Sequence, residues 1–109
     1  MTSLQAWNEI VNRLKGNRIE LPTVPKVKKD PVWFSATTNG ETIFINKAIE
    51  HKPSSKLTVE RRLKYSTFEK VYPLYLRREN GEQVSSEVTA ITVNQVYYFS
   101  LIRHFINNS

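Results

Sequence analysis

The chain opens with a hydrophobic stripe at helical spacing, in which Leu4, Trp7, Ile10, Val11 and Leu14 fall on one face. Thr2 stands before it with Gln5 three residues on, the pattern of a capping box, and Gly16 suits the position just past the helix end. Glu9, Asn12, Arg13 and Lys15 occupy the opposite face, so the spacing predicts an amphipathic first helix. Residues 17–31 break the period. Pro22, Pro25 and Pro31, with the run Lys26-Val27-Lys28-Lys29, predict an extended connection across the surface.

From Val32 to Asn46 the period becomes two. Asn39-Gly40 lies between β-rich runs, which predicts a hairpin closed by a type I′ turn. A two-residue loop there pairs Thr38 with Glu41, Ala36 with Ile43 and Phe34 with Ile45. Val32, Phe34, Ala36, Ile43 and Ile45 then share the core face. Trp33, Ser35, Thr37, Thr42, Phe44 and Asn46 share the other, with Trp33 and Phe44 as diagonal neighbours. Leu57, Val59, Leu63 and Tyr65 alternate with polar residues and predict a third strand, its apolar side interrupted by Arg61.

Ser66 and Glu69 form a second capping box before Phe68, Val71, Tyr72, Tyr75 and Leu76. Pro73 inside this stripe predicts a kink, or two short helices meeting near Tyr72; Arg77, Arg78 and Gly81 suit the end. Residues 82–91 carry no decisive pattern. Thr92 and Gln95 offer a third capping box, followed by Val96, Tyr97, Phe99, Leu101, Ile102, Phe105 and Ile106, whose apolar positions wrap most of the way round a helix and predict a central one. The fold class expected is α+β: a small three-stranded antiparallel sheet, hairpin plus third strand, with one N-terminal and two C-terminal helices, as a single domain over residues 1–109.

Charge adds to this picture because it is one-sided. Residues 1–70 hold 13 Lys and Arg against 7 Asp and Glu, a balance of +6, whereas residues 71–109 hold 3 of each. Such an asymmetry points toward an anionic partner, nucleic acid first among them. Cysteine is absent, and neither a signal peptide nor a membrane-length apolar run is visible, so the expected location is cytoplasmic and no membrane partner is expected.

Catalytic chemistry has few candidates. His51 and His104 have no close ligand pair for zinc, and no other cofactor is signalled. His51 stands beside Glu50 and near Ser54 and Ser55, where a turn is the expected structure. Glu50-His51-Lys52, with Asp30 upstream, has the acid-x-Lys spacing of a metal-dependent nuclease, in which two carboxylates hold Mg²⁺. The basic segment carries more weight. Lys47, Lys52, Lys56, Arg61, Arg62 and Lys64, with Trp33 and Phe44, suit a β-presented surface that neutralises phosphates and stacks unpaired bases. The function expected is noncatalytic nucleic-acid binding, DNA or RNA, as an accessory or regulatory module. The alternatives are a protein-interaction or homo-oligomerising module, with Tyr98 as a candidate interface residue, and the small nuclease.

Overall fold

A computed structural model describes residues 1–23 and 30–107. The first helix, α1 (Ser3–Leu14), has the expected start: Thr2 Oγ1 accepts from the Gln5 amide at 3.1 Å, and Gln5 Oε1 accepts from the Thr2 amide at 2.8 Å. Gly16 follows the C-cap with φ of +73°, a conformation that needs no Cβ. Trp7, Ile10, Val11 and Leu14 are buried, while Leu4 is half out in solvent and falls outside the working stripe.

Four strands, not three, form the sheet: β1 (Ile19–Pro22), β2 (Trp33–Thr38), β3 (Ile43–Lys47) and β4 (Arg61–Leu63), an antiparallel meander in chain order. β1 corrects the expectation that residues 17–31 merely connect. It is an edge strand ending in Pro22, and an edge needs amide donors on one side only. The proline- and lysine-bearing stretch 24–29 lies outside the described residues. β4 is shorter than the 57–65 alternation predicts. Leu57 reaches the core from a turn, its amide bound to the Ser54 carbonyl, and Val59 is 67% exposed.

The hairpin exists, but its register lies two residues from the expected one. Thr38 pairs with Ile43, Ala36 with Ile45 and Phe34 with Lys47, so the turn centres on Gly40-Glu41. Asn39 keeps negative φ, which excludes a type I′ turn. Its Oδ1 instead accepts from the amides of Glu41 and Thr42, both at 2.9 Å. A shift of two preserves the faces. Phe34, Ala36, Ile43 and Ile45 are fully buried, joined by Leu21 and Leu63.

α2 (Tyr65–Glu79) is one continuous helix through Pro73, which corrects the alternative of two short helices meeting near Tyr72. The Pro73 ring lies on the exposed side, while Phe68, Val71, Tyr72, Leu74 and Tyr75 anchor the helix on both sides of it. The Ser66 cap also gives way. Lys64 is the N-cap, and its carbonyl takes the Phe68 amide at 3.0 Å. α3 (Ser85–Ile91) occupies the stretch without a decisive pattern. Thr92 ends α3 rather than capping α4 (Gln95–Ile102), which runs on into a π-helical turn over Arg103–Asn107.

Every residue of α4 from Tyr97 to Ile102 is buried, as expected for a central helix. Tyr98 is therefore no interface residue: it is 2% exposed, and its hydroxyl accepts from the Lys64 amide at 3.2 Å. One hydrophobic cluster joins α1, α2, α4 and the inner face of the sheet. No described helix is long and apolar enough to cross a membrane. Replacing the fully buried Ile102 with Ala is expected to cost about 2–5 kcal/mol through lost transfer energy and the cavity left behind. Urea denaturation checks this as a lower midpoint at an unchanged slope.

Candidate nucleic-acid interface

The helices cover one face of the sheet, so the other is where an extended ligand would lie. Register places Glu20, Trp33, Ser35, Thr37, Phe44, Asn46 and Arg62 there. At the β3–β4 end the face is open. Phe44 is half-buried, and the Arg62 guanidinium stands 5.9 Å from its ring centroid, within cation–π range. Arg62 is 68% exposed and touches Glu60 only loosely, at 3.6 Å, while Glu60 also accepts from Asn46 at 3.1 Å.

At the β1–β2 end the face is closed by the loop that follows β3. Glu20, its side chain 5% exposed, accepts from the backbone amides of Ile49 (2.7 Å), Glu50 (3.1 Å) and His51 (3.0 Å). The His51 ring Nδ1 lies 2.8 Å away and Arg18 Nη1 donates at 2.9 Å. Burial opposes ionisation of this carboxyl, yet the Ile49 amide, His51 ring, Glu50 amide and Arg18 outweigh it and hold it far below the ordinary carboxylate range. The loop so fixed stacks His51 flat on Trp33, with centroids 3.9 Å apart and planes 12° apart. The Trp33 amide also donates to the Lys52 carbonyl at 2.7 Å.

Trp33 and Phe44 are consequently not diagonal neighbours, since the two-residue change of register moves them further apart along the sheet. The other predicted residues divide as well. Arg61 precedes Arg62 on β4 and so faces the helix side, where its Nη1 donates to Asn94 Oδ1 at 3.0 Å. Lys56 and Arg61 line a half-open cavity of about 760 Å³, bordered by Gln95, Val96 and Tyr97 of the first turn of α4. Lys47 pairs with Phe34 and shares the helix side at the end of β3. Lys52 and Lys64 are exposed, on the closing loop and at the start of α2. Of the eight, Phe44 and Arg62 are in cation–π range, Arg61 and Lys56 share the cavity, Trp33 lies under His51, and Lys47, Lys52 and Lys64 are exposed without forming a cluster with them.

Ion pairing is selective. Glu9 pairs with Arg13, Glu20 with Arg18 and His51, Glu60 with Arg62, Glu79 with Arg78, and both Glu82 and Glu87 with Arg77. None of the described lysines (Lys15, Lys47, Lys52, Lys56, Lys64 and Lys70) pairs with a carboxylate.

The cavity holds groups that sequence patterns did not signal. Tyr97 lines it, and burial pushes the Tyr97 hydroxyl above its ordinary range against the opposing charge of Arg61. Asn94, at the N-cap of α4, makes no capping bond and spends its side chain on Arg61. A forgone cap is worth about 0.5–2 kcal/mol. Arg61 was marked in sequence by interrupting an apolar alternation; Glu20, Asn94 and Tyr97 gave no comparable mark.

The nuclease residues are engaged elsewhere. Asp30 lines the cavity, while Glu50 and Lys52 belong to the closing loop. His104 packs edge-on against Phe105 in the π-helical turn. Among the described residues, no three His, Asp or Glu side chains are grouped to hold a metal ion. Ser54 stands in a turn, its Oγ accepting from the Lys56 amide at 3.2 Å. No protein-family model matches the chain, and comparison with curated proteins and with solved structures finds no match either.

Because the Glu20 carboxyl titrates well below its usual 4.5, its contribution to stability is complete above about that pH and is lost as pH falls below it. Glu20→Gln is expected to lower stability at pH 7 and to flatten the decline between pH 5 and pH 3. Urea midpoints of the two proteins over that range provide the comparison.

Proposed function

We propose that the protein is a noncatalytic nucleic-acid-binding module that offers the open end of its outer sheet face to single-stranded DNA or RNA. The observation that carries this reading is that none of the described lysines pairs with a carboxylate: the ion pairs consume arginines and His51, leaving exposed ammonium groups such as those of Lys52 and Lys64 for phosphates. The Phe44 ring with its Arg62 companion adds a stacking platform for a base. The preference for single strands rests on this platform, because bases in a duplex are already stacked.

Fluorescence anisotropy with mixed-sequence single- and double-stranded oligonucleotides over a salt series tests the proposal. Affinity should fall log-linearly with salt, and reversing Arg62 and Lys64 to Glu should reduce the slope by about 1.4 on single strands. Phe44→Leu, which keeps the apolar volume without a π face, should weaken single-strand binding by about 1–3 kcal/mol and leave duplex binding nearly unchanged. Absence of binding at low salt by the folded protein overturns the reading.

A further inference from the structure

The cavity on the helix side of the sheet is a second and independent feature, lined by Lys56, Arg61, Arg78, Tyr97 and Phe99 among others. Arg61 is held in place there by the Asn94 side chain, and the Asn94 amide donates in turn to Thr92 Oγ1 at 3.0 Å. With one Arg61 nitrogen thus engaged, another is stranded: Nε is buried and has no hydrogen-bond partner. A buried donor of this kind calls for an acceptor. Tyr97, 7% exposed, brings a hydroxyl that likewise has no hydrogen-bond partner among the described residues.

The surrounding charge favours an anion. Glu82 also lines the cavity but is occupied by Arg77 at 3.1 Å, and Asp30 is solvent-exposed. Lys56 has no carboxylate partner, while Arg78, loosely paired with Glu79 at 3.6 Å, lies over the Phe99 ring, 5.5 Å from its centroid. Val32, Val84 and Val96 supply an apolar wall. The volume, about 760 Å³, lies within the range of small-molecule sites.

We propose that this cavity binds a small organophosphate, with the phosphate held by the Arg61 guanidinium and the Tyr97 hydroxyl and an apolar or aromatic body against the valines and Phe99. The site is distinct from the outer sheet face, because Arg61 and Arg62 leave β4 on opposite sides.

Isothermal titration of the full chain with adenosine monophosphate, inorganic phosphate and adenosine tests the proposal. Adenosine monophosphate should bind more tightly than inorganic phosphate, and adenosine should bind at least tenfold more weakly than the monophosphate. Arg61→Gln should reduce monophosphate binding at least tenfold, and Asn94→Ala, which leaves the cavity lining intact, should reduce it severalfold. Arg62→Glu should leave it unchanged. Thermal unfolding of each variant confirms that it is folded. Equal binding of all three probes, no binding of the monophosphate, or binding that is lost in Arg62→Glu and kept in Arg61→Gln would overturn the cavity proposal. Oligonucleotide affinity of Arg61→Gln separates the two sites: unchanged affinity supports two sites, and a loss matching that of Arg62→Glu makes the cavity part of the nucleic-acid face and overturns its independence.

Discussion

Glu20 leaves the edge strand β1 with its carboxylate turned onto the outer sheet face, where three consecutive amides converge on it. Successive backbone N–H groups in such an arc make an anion-binding concavity, and here the anion belongs to the protein itself. Without that negative charge, the amides of Ile49, Glu50 and His51 and the Arg18 guanidinium would have no common acceptor. The loop after β3 would lose its anchor, and His51 its position over Trp33. The open area around Phe44 is what remains of the outer face once Glu20 has closed the other end.

Local signals were legible where one short-range rule governed the outcome. The capping box of α1, the two faces of the hairpin and the all-round burial of α4 follow from spacing alone. Competition between rules hid the rest. Asn39-Gly40 favours a type I′ turn, but the Asn39 side chain bonds the amides of Glu41 and Thr42 and moves the turn along by two residues. Pro73 argues for a break, yet apolar anchors before and after it keep α2 in one piece. β1 was obscured because prolines read as connection, although an edge position tolerates the one at its end.

The candidate sites were legible in composition but not in arrangement. Sequence marked Trp33, Phe44 and six cations as a group; folding keeps Phe44 with Arg62, shields Trp33 with a histidine, and sends Arg61 to the opposite side. The partners that determine this sorting, Glu20 and Asn94, meet their targets across about 30 residues of chain. No spacing rule covers that separation. Asn94 shows the trade most plainly, since a residue type suited to capping its own helix holds an arginine of the sheet instead.

The division of Arg61 and Arg62 between the two faces has a consequence for how the edge strand finds its place. In a three-residue strand, a slip of one position exchanges inside for outside. The arginine doublet is a poor judge of such a slip, because moving β4 by one residue in either direction brings an arginine to Phe44 or leaves one beside Ile45. Leu63 is not indifferent: both slips turn its side chain from the core toward water, at about 1.5–3 kcal/mol. The allocation of one guanidinium to the cavity and one to the open sheet is therefore made by a leucine that belongs to neither.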